Sequence, residues 1–530
     1  MTALDEGVGQ DTAPDGAEWR RLDRRTVLVT AAVVTGVTAG GALPAVLGLA
    51  ASMPLWQAVG WVLAGGALLV AGGSAADYVR WRRTRYRVGA ERAELHSGLL
   101  LVKRRSLARE RIRSVDLTAH PLLRVLGLVQ VRIGTGESTT GGDSTLELDP
   151  VTRAEGERLR RELLAHTVRS AAADHRHDGT LATLDPRWIR YAPVSFVVPL
   201  LGAAAAGGLM QVSEWFGVQA EVVEWAGRRF RDTPIAWTLG VLVLLATLAG
   251  TVGALGLWIE MWWNHRLERE PGGTLRVRRG LFTTRSISIE ERRLRGVELV
   301  EPLGVRMLRA ARVDAVATGL AHDDEDRHAE HRTLLPPVPR AVADRVAAQV
   351  LKEPEAPTGR PLTAHPRAAR TRRLRRALWG ALVPAAVLGL PGVLGGPLTD
   401  VLPYAAAGWL LVALPGGVLL ALDAYRGLGH GISGAYLVTR SGTLRRGTVA
   451  LQRDGVIGWT VRQTYFQRRA GLLTLTATTA AGDGAYAVID ADESEGLAFA
   501  AEAVPGVLAP FLEPVPTTKA RPTDGWTGPS

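Results

Sequence analysis

Long apolar runs alternate with polar, arginine-rich segments along the whole chain. The apolar runs come in pairs, which lie within residues 26–76, 191–259 and 377–423. An α-helix needs about 20 apolar residues to cross a bilayer. The pattern therefore predicts six transmembrane helices in three hairpins. The fifth run, 377–394, is short and contains Pro384 and Pro391, so a full crossing and a re-entrant turn both remain open for it.

The segments that follow the hairpins have a different periodicity. Short runs such as 93–101 and 275–282 alternate apolar and polar residues between glycine and polar turns, which is typical of β-strands. Each segment ends in residues with a helical period, at 151–166, 338–351 and 493–511. The fold class is therefore predicted as an α+β membrane protein, in which each hairpin precedes an antiparallel β domain with a C-terminal helix.

An internal repeat supports this division. Gly98, Gly280 and Gly442 each open a similar stretch, and an arginine follows 26 positions later as Arg124, Arg306 and Arg468. The glycines are 182 and 162 residues apart, so each repeat has the size of a domain. The predicted segments are a disordered tail (1–25), hairpin one (26–76), β domain one (77–168), a linker (169–190), hairpin two (191–259), β domain two (260–352), a basic linker (353–376), hairpin three (377–423), β domain three (424–513) and a disordered C-terminal tail (514–530).

Charge and composition narrow the function classes. The net charge of +11 comes from arginines that cluster beside one set of helix ends, whereas the opposite loops hold only Arg228, Arg229 and Arg231, offset by acidic residues. This asymmetry follows the positive-inside rule, and it favours a multi-pass cell-membrane protein over a nucleic-acid-binding one. Both termini and all three β domains are then predicted to be cytoplasmic. The absence of cysteine excludes disulfides and thiolate metal sites.

The first repeat carries a pattern that resembles a known family. Its opening glycine is followed by an Ile-Arg-x-Val step and an Arg-x-Leu-Gly turn, made by Gly98, Ile112, Arg113, Val115, Arg124, Leu126 and Gly127. Together with the preceding helix pair, this pattern resembles the YdbS/YdbT-like bacterial PH-domain membrane proteins. The resemblance implies three PH-like domains on a six-helix membrane part. It implies no catalytic residues.

The sequence offers little for catalysis or cofactors. It contains no GxxxxGK[ST], HExxH or GxSxG motif, so neither an enzyme nor a cofactor is expected. The apolar runs lack ionisable residues, which disfavours ion-coupled transport. The acidic and histidine-containing loop 322–331 is the densest group of metal-capable side chains. Its position between two predicted strands favours an ordinary solvated loop, and a divalent-cation site is the alternative.

Two groups of residues are candidates for contact with the membrane. The first could dock on anionic lipid, by general electrostatics or in a specific pocket, or be merely solvated; it comprises Lys103, Arg104, Arg105, Arg109, Arg445 and Arg446. The second consists of Asp77, Glu260 and Asp423, which recur near the end of each hairpin. We expect each acid to pair with a nearby arginine (Arg80 or Arg82, Arg266, Arg426) and to set the angle at which the domain leaves the membrane.

These observations predict a membrane scaffold that binds protein partners or anionic lipid, with a possible role in envelope maintenance. The alternative is a conduit that exports or flips a lipid, peptide or drug, gated by the β domains. An enzyme acting on membrane lipid is a third class that no motif supports. Neither the partner nor the oligomeric state follows from the sequence.

The predicted orientation can be tested with single cysteines, because the chain has none of its own. Cysteines at Thr140, Ala329 and Gly482 should resist a membrane-impermeant thiol reagent in intact cells. Cysteines at Val218 and Thr399 should be labelled. Labelling at any of the first three sites contradicts the cytoplasmic placement of the β domains.

Overall fold

The computed structural model describes residues 19–89, 91–97, 103–109, 112, 114–134, 145–164, 179–318, 332–393 and 401–511. Packing divides the chain into two units. The first unit is Met1–Pro361 with Arg440–Leu451 and Ala480–Gly484. The second unit is Leu362–Thr439 with Gln452–Thr479 and Ala485–Ser530.

Five helices in the described residues are long and apolar enough to cross a membrane. They are α1 (Thr26–Ala50), α2 (Leu55–Arg83), α5 (Val197–Trp215), α7 (Ile235–Trp262) and α11 (Leu402–Arg426). The helix that precedes α11, α10 (Arg367–Val393), opens with RAARTRRLRR, so its apolar part is short. The structure thus agrees with a membrane protein, whereas six crossings remain a prediction.

Close helix packing in the second hairpin depends on glycine. A Cβ atom at Gly202 would lie 2.2 Å from the carbonyl oxygen of Ala246, and one at Gly250 would lie 2.0 Å from that of Val198. Small residues let two membrane helices approach at backbone distance, where van der Waals contact holds them together. These two glycines therefore fix the contact between α5 and α7.

The first unit contains three groups of strands. The strands are β1 (Arg20–Arg21), β2 (Arg85–Val88), β3 (Arg92–Ser97), β4 (Lys103–Ala108), β5 (Ser114–Ala119), β6 (Leu128–Gly134), β7 (Thr145–Thr152), β8 (Gly179–Thr183), β9 (Arg266–Glu270), β10 (Thr274–Arg279), β11 (Thr284–Glu290), β12 (Leu294–Pro302), β13 (Ala310–Ala317), β14 (Thr333–Pro339) and β17 (Arg445–Gln452). One sheet has the order β1-β2-β3-β4, and a second has the order β7-β6-β5-β11-β10-β9-β8. In a third sheet, β12 lies between β13 and β17, and β14 lies beyond β13.

Short helices cover these sheets and complete the cores. They are α3 (Pro121–Val125), α4 (Arg153–Leu164), α8 (Leu303–Met307) and α9 (Arg340–Leu351). In the first domain, Val115, Val131 and Ile133 of the sheet and Leu159 of α4 are completely buried in one cluster. The alternation of apolar residues along β5 and β6 therefore does face a core, as period two predicts.

Consecutive repeats share sheets, which is the main feature of the first unit. β5 of the first repeat pairs antiparallel with β11 of the second, and β12 of the second repeat pairs antiparallel with β17 of the third. Each repeat therefore contributes its early strands to one sheet and its later strands to the next. An edge strand carries unpaired backbone N–H and C=O groups, and pairing between repeats satisfies them.

The second unit contains the helix pair α10 and α11 and the rest of the third repeat. Its strands are β15 (Gly429–Ser433), β16 (Tyr436–Ser441), β18 (Val456–Arg462), β19 (Leu472–Thr479) and β20 (Ala485–Asp492), and its other helices are α12 (Tyr465–Arg468) and α13 (Glu493–Ala503). Asp490 on β20 is fully buried and pairs with Arg372 near the start of α10. This pair fastens β20 to the start of α10.

The structure differs from the predicted segments in four places. Within the segment expected to be a disordered tail, Arg20–Arg21 form β1, and the next residue, Leu22, is buried. A strand this short gives no periodic signal. The predicted linker contains β8, and the loop between α5 and α7 contains an amphipathic helix, α6 (Gln219–Phe230). Helix α10 begins at Arg367, inside the predicted basic linker, because arginine is a good helix former.

The glycine contact between α5 and α7 predicts a matched pair of variants. Gly202→Ala should lower the stability of the detergent-purified protein by about 1–3 kcal/mol, because the added methyl group has no room beside Ala246. Gly207→Ala lies on the same helix with nothing within 4 Å and should be neutral. Thermal unfolding measures both. Equal melting temperatures for the two variants would contradict the close contact.

Candidate anion-binding site

The structure scatters the predicted lipid-docking residues. Arg109 donates hydrogen bonds to the backbone carbonyls of Gly89 (3.0 Å) and Glu162, and Arg445 pairs with Glu298 at 3.3 Å. Arg104 and Arg105 lie on β4, and the side chain of Lys103 is outside the described part. Arg446 lies opposite Glu301 across the β12–β17 pair. Lipid docking by this group stays a prediction, and at least Arg109 and Arg445 have structural contacts.

The three acids at the hairpin ends have different surroundings. Asp77 accepts a hydrogen bond from Thr30 (2.9 Å), and the nearest side-chain nitrogen of Arg80 is 4.0 Å away. Asp423 lies in the last turn of α11. Their role as hinges is untested.

Glu260 has a different partner from the expected Arg266. Its two carboxylate oxygens accept hydrogen bonds from the backbone N–H groups of Phe282 and Thr283, each at 2.9 Å. The backbone carbonyl of Glu260 accepts a third bond, from Leu281 at 3.0 Å. The turn between β10 and β11 is therefore fastened directly to the end of the membrane helix α7. The sequence showed the acid but not the turn that binds it.

A cavity of about 480 Å³ lies where the first and second repeats meet in the first unit. Its walls come from β5, α3 and α4 of the first repeat and from β9, β10 and β11 of the second. Seven arginines and a single acid, Glu157, line it; the arginines are Arg124, Arg153, Arg266, Arg276, Arg278, Arg279 and Arg285. We call this cavity the arginine pocket. Its charge suits an anion.

Register places arginines opposite one another at the arginine pocket. Arg278 on β10 faces Arg266 on β9, and Arg279 faces Arg285 on β11. Like charges at directly opposite positions destabilise a sheet, typically by a few tenths of a kcal/mol to about 1 kcal/mol. Neighbouring residues of a strand point to opposite faces, so only the Arg278–Arg266 pair shares the face of Arg276 and Glu157, whereas Arg279 lies over the Trp262 ring at 4.5 Å.

Burial adds to this electrostatic strain. It lowers the pKa of Arg279 to about 10, with a further contribution from Arg285. Burial also lowers the pKa of Arg278, where the neighbouring Arg276 acts in the same direction, and that of Arg285. A depressed arginine pKa means that the cationic form is less stable here than in water. A bound phosphate-like anion would reverse that effect.

Arg276 has a structural role beside the pocket. It pairs with Glu157 at 2.6 Å and with Glu270 at 3.0 Å, and Arg160 pairs with the same Glu270 at 2.8 Å. Burial alone would raise the pKa of Glu270, but the hydrogen bonds and charge of Arg160 and Arg276 hold it below its usual range. This network joins α4 of the first repeat to the second repeat. Arg276 is therefore a poor choice for testing ligand binding.

Contacts with α7 place the arginine pocket at the level of the helix end. Gly280, which lines the pocket, donates its N–H to the carbonyl of Trp263, one residue beyond α7. Nearby apolar side chains are exposed: Phe282 by 61%, Val125 by 85% and Trp263 by 46%. Exposed aromatic and aliphatic groups beside a membrane helix are typical of the bilayer interface. The pocket thus lies beside the end of α7.

Sequence reasoning missed most of this site. Two of its arginines were noted from the sequence, Arg266 as a partner for Glu260 and Arg124 as part of the repeat. The strand TLRVRR (Thr274–Arg279) carried a usable signal, because arginines at alternate positions share one face. No group of three or more metal-capable side chains occurs in the described residues. The loop 322–331 lies outside them.

Comparison with known proteins agrees with this architecture. The family model for the bacterial PH domain matches residues 32–167 and 385–501. With the apolar helices, these matches define the chain as a membrane protein that carries bacterial PH domains.

One relative matches over most of its length. The chain is similar to the UPF0699 transmembrane protein YdbT of Bacillus subtilis (strain 168), with 20% identity over 422 residues, or 76% of this chain and 81% of the relative. This similarity confirms the resemblance found from the repeat pattern. No solved structure matches the chain.

A buried acid on β5 predicts a pH effect. Burial raises the pKa of Asp116 to about 7, although Arg132 and the Ser288 N–H oppose it. Because this folded-state pKa exceeds the unfolded value, Asp116 should reduce stability progressively between about pH 4 and pH 7, by roughly a few kcal/mol at most. Asp116→Asn should therefore gain stability over the parent as pH rises from 5 to 8, measured by thermal unfolding in detergent.

The exposed acid Glu224, paired with Arg228 on α6, provides the control. Glu224→Gln should show the same small difference from the parent at both pH values. If Asp116→Asn also differs from the parent equally at pH 5 and pH 8, Asp116 does not titrate in this range.

Proposed function

We propose that the protein is a membrane scaffold whose PH-like domains bind the anionic headgroups of phospholipids, and that the arginine pocket is a binding site for such a headgroup. The observation that carries this proposal is the position of a cavity lined by seven arginines beside the end of α7. Each arginine near an anionic leaflet contributes on the order of 1 kcal/mol to attraction. A cavity adds selectivity that a flat basic surface lacks.

The proposal includes the orientation derived from charge. With the domains on the cytoplasmic side, the pocket faces the inner leaflet, where anionic lipid supplies the ligand. Arg266 and Arg278 are the best candidates for headgroup contact, because both are exposed and lie opposite each other. Arg276 and Arg124 hold the walls: Arg276 through Glu157 and Glu270, Arg124 through the carbonyl of Leu281.

Lipid binding can be measured on the whole protein by native mass spectrometry from detergent, with phosphatidylglycerol and phosphatidylcholine as the two probes. We expect the parent to retain phosphatidylglycerol preferentially. Arg266→Gln with Arg278→Gln should weaken that binding about tenfold or more, since two contributions of about 1 kcal/mol are removed and 1.4 kcal/mol corresponds to a factor of ten.

The control removes two charges elsewhere. Arg228→Gln with Arg229→Gln changes the exposed helix α6 and should leave lipid selectivity unchanged. Equal losses in the two double variants indicate attraction by net charge alone and reject the pocket. A parent without preference for phosphatidylglycerol rejects lipid binding as the function of this site.

A further inference from the structure

The two internal junctions between repeats have the same register. In the β12–β17 pair, Glu301 lies opposite Arg446. In the preceding repeats, the residue equivalent to Glu301 is Ala119, 182 positions earlier, and the residue equivalent to Arg446 is Thr284, 162 positions earlier. Ala119 and Thr284 also lie opposite each other, in the β5–β11 pair. The junction is therefore one structural device that occurs twice.

The arginine of the repeat completes this device. Arg124 donates to the carbonyl of Leu281, and Arg306 donates to the carbonyl of Thr443 at 3.1 Å. Leu281 and Thr443 are separated by the same 162-residue offset, and each lies in the turn before the strand that docks. The third arginine, Arg468, makes no side-chain hydrogen bond within the described parts of the chain.

The third repeat leaves its half of the junction open. In the described residues, β18 pairs only with β19, whereas the equivalent strands β5 and β12 each have a second partner. Val461 on β18 is 44% exposed, but Leu117 and Leu299 at the equivalent positions are 6% and 0% exposed. Ile457 on the same strand is 67% exposed. An edge with free backbone groups and exposed β-branched side chains is a template for another strand.

The first repeat leaves the complementary half open. β4 corresponds to β11 and β17, the strands that dock, yet among the described residues it pairs only with β3. Among the described residues, the first repeat therefore has a docking strand, and the third repeat an acceptor edge, that no other repeat pairs with. Such surfaces are complementary to each other but differ from each other, so two copies would meet by a heterologous, head-to-tail contact.

We propose that two copies of this protein associate head to tail, with β18 of one copy pairing antiparallel with β4 of the next and Arg468 at the contact, as Arg124 and Arg306 are at the internal junctions. The register of the internal junctions sets Thr460 opposite Arg105 and Trp459 opposite Ser106. Repetition of the contact produces a ring or a row of copies in the membrane plane. Each contact joins the sheet that contains β4 in one copy to the sheet that contains β18 in another.

Features of the chain itself favour a second copy as the partner that pairs with the open edge of β18. The open edge continues an interface that already occurs twice, and β4 is a strand of the required class and register. The register brings Lys103 opposite Arg462. At the first internal junction, the residue equivalent to Lys103 is Arg285, which is also a cation and lies opposite Thr118. Arg462 is exposed, so its side chain can extend into water.

Cysteine cross-linking tests this contact in the full chain. Two differently tagged copies are co-expressed, one with Thr460→Cys and the other with Arg105→Cys; a second pair uses Trp459→Cys and Ser106→Cys. Opposite residues in an antiparallel pair have Cβ atoms about 4.5–5.5 Å apart, close enough for oxidation to join at least one pair. We expect a dimer that carries both tags in native membranes.

Controls separate the possible contacts. Thr476→Cys lies on the central strand β19, and with Arg105→Cys it should give no dimer. A dimer formed by two Thr460→Cys copies would indicate a symmetric β18 contact, and this result overturns the proposal. The absence of a mixed-tag dimer for both cysteine pairs overturns it as well, provided that each variant melts at the temperature of the parent.

Arg468 gives an independent test without added cysteines. Light scattering of the detergent-solubilised parent should show a mass above one chain, and Arg468→Gln should shift it at least twofold toward the monomer. Arg469→Gln, the neighbouring change, should not, because Arg469 stacks on Tyr465 at 6.0 Å within its own domain. A parent that is monomeric both in detergent and in membrane cross-linking contradicts head-to-tail association.

Discussion

Antiparallel pairing between the later strands of one repeat and the early strands of the next is the interaction on which the first unit depends. Without it, β5, β11, β12 and β17 would each expose a backbone edge, which is costly and prone to aggregation. The pairing is reinforced by side chains: Arg160 reaches from α4 to Glu270 on β9 across the first junction, and Arg445 reaches Glu298 across the second. Consecutive repeats therefore share sheets and are not independently folded domains joined by linkers.

The arginine pocket follows from the same pairing. Arg153 and Arg124 come from the first repeat, while Arg266 and Arg278 come from the second, and the β5–β11 contact brings the four together. Neither repeat alone encloses the cavity. A site formed at such a junction has walls from two domains, so its shape depends on their mutual position.

The sequence was informative about elements and poor about partners. Apolar length predicted the helices, and alternation such as that of 275–282 predicted strands, because periodicity records which face of an element is buried. Periodicity does not record which strand lies beside a given strand, so the pairing of β11 and β17 with the preceding repeat could not be predicted. Glu260 was recognised as unusual, but its partners are the backbone N–H groups of Phe282 and Thr283, which have no side-chain signature.

Contacts between the β domains and the long helices limit how far these domains can move. Glu260 fastens the β10–β11 turn to α7, and within the second unit Asp490 fastens β20 to Arg372 of α10. A domain held in this way cannot turn freely on its linker, so the depth of the arginine pocket is set by the end of α7. Arg266 and Arg278 come from the second repeat and Arg153 from the first, and the β5–β11 pair joins the two. If the proposed headgroup binds in this pocket, it contacts both repeats, and by linkage a well-formed junction binds it more tightly.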